Sequence, residues 1–224
     1  MTNLANSIKK RIDRLKGKEP GWFLKQSRGV IHVGANTGQE RDIYAKYDLD
    51  VLWIEPIDSV FDELLANIAP YPKQKALKAL LTDTSGNKVT LHIASNNGAS
   101  SSILPMKHHG EIWPDVHYVN AVELTSETLI DLIARTQTDI AKYDTLVMDT
   151  QGSELLVLRG GEALLKNFKR IHTEVADFES YEGCCVLPEV NAYLAAQGFD
   201  ELYRARMTGR RKVGTYYDVT YERK

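Results

Sequence analysis

Residues 29–38 read GVIHVGANTG and join a short apolar strand to a glycine turn. We assign the strand to residues 29–33 and the turn to residues 34–38, and the pattern of residues 39–47 indicates a helix. A helix that begins directly after such a turn presents its first backbone N–H groups to a ligand. This combination is typical of the opening unit of a nucleotide-binding α/β fold.

The alternation of strand and helix continues along the chain. Further strands are predicted at 51–54, 76–81, 89–93, 119–124, 145–148 and 170–175. Helices are predicted at 60–68, 127–135, 153–166 and 188–197, the third with a break at Gly160-Gly161. Residues 199–207 and 215–221 form a predicted antiparallel hairpin. The pattern indicates a Rossmann-like α/β domain, with a mostly parallel sheet, helices on both faces and a C-terminal antiparallel hairpin.

We expect one domain over residues 29–224, preceded by a helical extension over residues 1–28. Within that extension, residues 4–16 carry apolar side chains at helical spacing among lysines and arginines. A chain of 224 residues lies within the size range of a single α/β domain.

The composition is that of a soluble globular protein, with 43% hydrophobic and 26% charged residues. The formal net charge of -2 argues against a nucleic-acid partner, although a local basic cluster lies between Arg204 and Lys212. No apolar run approaches the roughly 20 residues that span a bilayer. Cys184 and Cys185 are adjacent and poorly placed to bridge each other, which favours a reducing compartment, so we expect a cytoplasmic protein.

Three acidic residues follow predicted strands and therefore belong near the glycine turn. Glu55 lies where an acidic residue accepts hydrogen bonds from ribose hydroxyls, and we expect its side chain to be partly exposed. Asp83 is placed to meet an adenine amino group, and Asp149 points at the same crevice. The turn lacks the G-x-G-x-x-G spacing of a dinucleotide site, which disfavours a nicotinamide-dependent oxidoreductase.

Four motifs together resemble the FkbM-type methyltransferases. They are Val33-Gly34-Ala35-Asn36-Thr37-Gly38, Ile54-Glu55-Pro56, Asp149-Thr150-Gln151-Gly152-Ser153-Glu154-Leu155 with Leu158-Arg159-Gly160, and Glu174 at a strand end. The resemblance covers roughly residues 29–222. It implies a class I methyltransferase fold with a seven-stranded sheet, S-adenosylmethionine as cofactor, and methylation of a hydroxyl on a sugar, glycan or natural product.

The resemblance also implies a cofactor site at defined positions. Its predicted members are His32, Gly34, Ala35, Asn36, Gly38, Glu55, Pro56, Asp83 and Asp149. His32 stands where the family often has Asp, which bears on cofactor affinity. A non-catalytic binding or scaffold protein that keeps the fold is therefore the alternative function.

The catalytic candidates are Asp149, Glu174 and His172. Methylation of an alcohol requires a group that accepts its proton, and carboxylate and imidazole side chains can do so. His172 and Glu174 lie two residues apart on one predicted strand and share a face. A divalent cation shared by Asp149 and Glu174 is an open alternative, although we expect a site without metal.

The segment 94–118 shows no clear period, and we interpret it as an excursion that binds a small-molecule or carbohydrate acceptor. The acceptor-binding candidates are Ser101, His108, His109 and Tyr181. The histidines of this segment lack the cysteine partners and spacing of a closed zinc site. No heptad or interface pattern indicates an oligomeric state.

Overall fold

The computed structural model describes residues 21–224; the helix predicted at residues 4–16 lies outside them. The strands are β1 Gly29–Val33, β2 Asp50–Ile54, β3 Gln74–Leu77, β4 Leu80–Leu81, β5 Lys88–Ala94, β6 Tyr118–Glu127, β7 Thr145–Met148, β8 Arg170–Ala176, β9 Phe199–Arg210 and β10 Gly214–Arg223. The α-helices are α1 Arg41–Lys46, α2 Asp58–Ile68, α3 His109–Ile112, α4 Leu129–Arg135, α5 Glu154–Gly160 and α6 Leu187–Ala196. Short 3₁₀ helices cover Trp22–Leu24, Ile140–Lys142 and Glu162–Asn167.

Seven strands form the central sheet, in the order β3-β2-β1-β7-β8-β10-β9. The neighbours from β3 to β8 pair in parallel, whereas β10 runs antiparallel to both β8 and β9. The prediction of a mostly parallel sheet of seven strands that ends in an antiparallel hairpin is therefore confirmed.

Two hydrophobic cores cover the two faces of this sheet. All five residues of β1 are buried, as expected of a parallel strand with helices on both sides. Ile31 faces the core formed with α4, α5 and α6, whereas Val30 faces the core formed with α1 and α2. Phe23 and Leu24, which precede β1, are buried in the second of these cores. Helices thus lie on both faces, as predicted.

A second sheet, absent from the sequence prediction, has the order β4-β6-β5. The single strand predicted at 76–81 is wrong because the chain leaves the central sheet after Leu77. Leu80 and Leu81 then pair in parallel with Ser126 and Glu127 of β6. The alternating strands predicted at 89–93 and 119–124 exist, and they pair with each other in antiparallel fashion as β5 and β6.

The break predicted at Gly160-Gly161 is confirmed, since α5 ends at Gly160 and a 3₁₀ helix follows. Gly160 packs directly on the turn after β4. A Cβ atom at this position would lie 2.1 Å from the carbonyl oxygen of Thr82 and 3.2 Å from the Cα of Asp83. The absence of a side chain therefore lets the second sheet approach α5.

Gly160→Ala should reduce the free energy of unfolding by about 2 to 3 kcal/mol, because the added methyl group overpacks a backbone contact. Gly110→Ala is the matched control, since a Cβ atom there meets nothing within 4 Å. Urea unfolding curves measure both changes. Equal midpoints for the two variants would show that α5 and the turn can move apart without cost.

Candidate functional site

The glycine turn after β1 lies against the backbone that follows β7. The N–H groups of Gly34 and Ala35 both donate to the carbonyl oxygen of Ile54, at 3.0 and 3.1 Å. Gly34 has a φ of 76°, and a Cβ atom there would lie 2.0 Å from the carbonyl oxygen of Asp149. Only glycine allows this approach. The ends of β1, β2 and β7 therefore meet at one point.

Glu55, the residue after β2, is directed back into this turn. Its Oε2 accepts the N–H of Asn36 at 2.9 Å, and its Oε1 accepts the N–H of Ile57 at 3.0 Å. From the sequence we expected a partly exposed side chain. That expectation is wrong, because the residue keeps only 4% of its accessible surface. Burial raises the pKa of Glu55 to about 7, and the two backbone N–H groups limit that rise.

A cavity opens between this turn and the second sheet, and we call it the first cavity. One side is polar and carries His32, Asn36, Glu55 and Asp149. The opposite side is apolar and is formed by Ile57, Ala79, Leu80, Leu81, Leu91 and Ile103. Pockets with an apolar wall and a few convergent polar groups are typical small-molecule sites. The apolar wall is missing from the sequence prediction because it depends on where the second sheet packs.

Most of the predicted cofactor residues line the first cavity. These are His32, Gly34, Ala35, Asn36, Glu55, Pro56 and Asp149. Gly38 lies behind the turn, where a Cβ atom would meet Leu64 at 2.7 Å. Asp83 lies outside, because it follows β4 of the second sheet and is exposed beside Gly160. Its place near adenine stays a prediction.

His32 is buried and has defined partners. Its Nδ1 lies 2.9 Å from the hydroxyl oxygen of Tyr44, and its ring stacks on that of Trp53 with centroids 4.9 Å apart. Burial lowers the pKa of His32 to about 3, with a further contribution from His172. A neutral imidazole thus stands where the resembling family often has a carboxylate.

A second cavity lies next to His32 and Asp149. Its lining includes Phe23, Leu24, Glu40, Tyr44, His172, Glu174 and Asp218. The lining of both cavities includes His32, Glu40 and Asp149. The two cavities therefore adjoin at these three side chains, and Asp149 is the carboxylate at the end of β7 between them.

His172 is held on one wall of the second cavity. Its ring stacks on Phe23 with centroids 4.4 Å apart, and its Nδ1 lies 3.0 Å from Oγ1 of Thr220. Burial lowers the pKa of His172 to about 4. Glu174 is on the same face of β8, and the residue opposite it in the sheet is Asp218 of β10. Asp218 is not among the residues predicted from the sequence, because its place opposite Glu174 depends on the register of β10 on β8.

The four predicted acceptor residues do not form one group, although the rings of His109 and Tyr181 pack with centroids 5.0 Å apart. Ser101 lines the first cavity and accepts the N–H of Ala94. His108 is exposed beside Glu111, whereas His109 is buried against the hydroxyl of Tyr216 at 2.8 Å. Tyr181 is buried and donates to Gln151. Neither histidine lines the first or second cavity, and their contact with an acceptor stays a prediction.

Within residues 21–224, no group of three or more His, Cys, Asp or Glu side chains is arranged to hold a metal ion. No helix in this range is long and apolar enough to cross a membrane. The two cysteines are free thiols and are buried.

Residues 32–201 match the family described as the methyltransferase FkbM domain. This match spans most of the chain, including the glycine turn, Glu55 and Asp149. The chain belongs to the FkbM methyltransferase family. Membership identifies S-adenosylmethionine as its cofactor, and the sequence-based expectation of both family and cofactor is confirmed.

One relative of this FkbM-family chain and one solved structure of the same fold show how far the likeness extends. It is 24% identical over 162 residues to the 2-O-methyltransferase NoeI of Sinorhizobium fredii (strain NBRC 101917 / NGR234), covering 69% of this chain and 65% of that protein. The chain thus spans about 65% of the length of this relative. The magnesium protoporphyrin IX methyltransferase ChlM of Synechocystis PCC 6803, solved with S-adenosylmethionine bound, shares the fold with a TM-score of 0.53. Its identity is 10%, over 100% of this chain and 86% of that one.

The raised pKa of Glu55 predicts a pH-dependent cost of folding. The folded-state pKa of this carboxyl group is about 7, against an ordinary value of 4.5. Its burial therefore does not lower the free energy of unfolding below about pH 4.5, and it lowers that free energy by the full amount above about pH 7. Relative to wild type, Glu55→Gln should therefore gain roughly 3 kcal/mol of unfolding free energy as the pH rises from about 4 to about 8.

Urea unfolding at several pH values measures this difference. Asp58→Asn is the matched control, because that carboxylate also lies near the start of α2 but its side chain is 80% exposed. A stability difference between wild type and Glu55→Gln that stays constant with pH would contradict the predicted pKa of Glu55.

Proposed function

We propose that this protein is an S-adenosylmethionine-dependent O-methyltransferase that acts on a hydroxyl of a sugar, glycan or natural product. The observation that carries the proposal is the meeting of two cavities at Asp149. One cavity has the polar turn and apolar wall that suit a nucleoside, and the other provides space for an acceptor next to the same carboxylate.

The residues of the first cavity fit the cofactor. Gly34 and Asp149, at the ends of β1 and β7, approach each other closely and both line the cavity, and the methionine part would lie against them. Glu55 would accept the hydrogen bonds of the ribose hydroxyls, and the wall that includes Leu80 and Ile103 would cover the adenine. When bound, S-adenosylmethionine supplies an electrophilic methyl group.

Asp149 is the proposed general base. It lines both cavities, so its carboxylate can reach a hydroxyl held in the second cavity beside the methyl donor of the first. It would accept the proton that the hydroxyl loses during methylation, a role that contributes 10²- to 10⁴-fold in other enzymes. His172 is a weaker candidate, since it lines only the second cavity, whereas Asp149 lines both. Glu174 would orient the acceptor.

The second cavity supports a hydroxyl-rich acceptor. Carboxylates accept hydrogen bonds from hydroxyl groups, and Glu40, Glu174 and Asp218 provide three of them. The aromatic ring of Phe23 offers a flat apolar surface beside them. The name of the relative NoeI, a 2-O-methyltransferase, agrees with methylation at oxygen.

The cytoplasmic location and the boundary between an extension and a domain at residue 29 stay predictions.

A non-catalytic binding or scaffold protein is the second candidate, and His32 is the observation that favours it. The neutral imidazole of His32 lines both cavities in place of the carboxylate that the family often has. Cofactor binding without methyl transfer to any hydroxylated acceptor would favour this function.

Glu55→Gln should weaken S-adenosylmethionine binding about tenfold, because one acceptor oxygen for the ribose is lost while the other still receives a backbone N–H. Calorimetric titration with S-adenosylmethionine and with S-adenosylhomocysteine measures the affinity. Asp58→Asn serves again as the control and should bind like wild type. An unchanged affinity of Glu55→Gln would remove Glu55 from the cofactor site.

Asp149→Asn should reduce methyl transfer by at least 10²-fold and change cofactor affinity only a few-fold, because the amide keeps the shape of the side chain but is not a base. A screen of glycans and hydroxylated metabolites provides the acceptor, and release of S-adenosylhomocysteine measures transfer. Glu174→Gln is the comparison variant. Equal losses of transfer and of cofactor affinity in Asp149→Asn would assign Asp149 to cofactor binding alone.

A further inference from the structure

The turn that follows Asp149 contains a chain of buried hydrogen bonds that the proposed chemistry does not explain. The hydroxyl of Tyr181 donates to Oε1 of Gln151 at 2.7 Å, and Nε2 of Gln151 donates to Oδ1 of Asp149. Gln151 and Tyr181 keep 9% and 1% of their accessible surface. A buried amide that joins a phenol to a carboxylate in this way has a defined orientation.

We propose that Gln151 is a positioning residue that holds the carboxylate of Asp149 toward the acceptor, with its amide oriented by Tyr181. This inference rests on the proposed role of Asp149 as general base. The sequence predicts Tyr181 as an acceptor-binding residue. In this proposal it acts instead through its hydrogen bond to Gln151.

The charge of Asp149 selects one of the two amide orientations of Gln151. An ionised carboxylate only accepts hydrogen bonds, whereas the amide has an oxygen that accepts and an NH₂ group that donates. If the amide were reversed, its oxygen would face Oδ1 of Asp149, and the hydrogen bond from Gln151 to Asp149 would be lost. The observed orientation also gives the hydroxyl of Tyr181 an acceptor. Both ends of the amide therefore have a hydrogen-bond partner.

The backbone of the turn is held as firmly as the side chain. Gln151 has a φ of 53°, and its carbonyl oxygen accepts the hydroxyl of Ser102 at 2.7 Å. Behind it, the buried carboxylate of Glu154 accepts the N–H groups of Thr150 at 2.9 Å and Gly152 at 3.1 Å. Gln151 therefore has little freedom to move away from Asp149.

A donor held against Oδ1 has two consequences for Asp149. It fixes the rotation of the carboxylate, and it favours the charged form over the protonated one. Other carboxyl and imidazole groups share the cavities or the turn with Asp149 and act on its titration as well: His32, Glu40, Glu55, Glu154, His172, Glu174 and Asp218. A variant at Gln151 leaves all of them in place, so its effect isolates the amide.

The test is the titration of Asp149 in the full chain, followed by NMR of ¹³C-labelled aspartate carboxyl groups. The resonance missing from Asp149→Asn assigns the signal. Gln151→Met keeps the length of the side chain without a donor and should raise the pKa of Asp149 by about one unit. Gln151→Glu places a second carboxyl group against Asp149 and should raise the upper apparent pKa of the pair further.

Tyr118→Phe is the matched control for Tyr181→Phe. The hydroxyl of Tyr118 donates to the carbonyl oxygen of Leu104 at 2.6 Å, so its removal takes one half-buried hydroxyl from the same region and leaves the hydrogen bonds of the Gln151 side chain in place. Tyr181→Phe should raise the pKa of Asp149 by less than Gln151→Met does, and Tyr118→Phe should leave it unchanged. A pKa of Asp149 that is unchanged in Gln151→Met would overturn the proposal.

Failure of this inference and failure of the proposed function are separable. Calorimetric titration of the wild-type chain with S-adenosylmethionine tests the function without involving Gln151. Absence of binding would reject the function whatever the NMR result. Binding together with an unchanged Asp149 titration in Gln151→Met would keep the function and reject the positioning role of Gln151.

Discussion

The parallel pairing of β1 with β2 on one side and β7 on the other is the constraint on which the site depends. Gly34, Glu55 and Asp149 are far apart along the chain, and this pairing brings them together at the carboxyl ends of the three strands. The contact between Gly34 and the backbone of Asp149 then sets the distance between the turn and the strand end. The cavities next to Asp149 are a result of this pairing, and side chains elsewhere only shape their walls.

The central sheet could be predicted because its signals are local. A buried parallel strand is a short apolar run, and a glycine turn or an acidic residue marks its end. The positions of Gly34, Glu55 and Asp149 follow from those runs and from the rule that ligands bind at the carboxyl ends of parallel strands. The burial of Glu55 does not follow, because it depends on backbone N–H groups that close around it after folding.

The second sheet and the acceptor side could not be predicted in the same way. Leu77 and Leu80 belong to one apolar stretch, and only their pairing partners show that they lie in different sheets. His108 and His109 are adjacent, yet one is exposed and the other buried, because α3 packs beside the C-terminal hairpin. Phe23 lies before the first strand, yet it lines the second cavity, where its ring stacks on His172.

The second sheet also has a consequence for the order of folding. Its strands β5 and β6 are close in sequence and pair as neighbours, whereas Ile31 of β1 pairs with Leu146 of β7 across 115 residues of chain (146 minus 31). Contacts between residues far apart in sequence form slowly because they close long loops. The unit that carries the apolar wall of the first cavity can thus assemble early, and late closure of β1 on β7 completes the binding site around it.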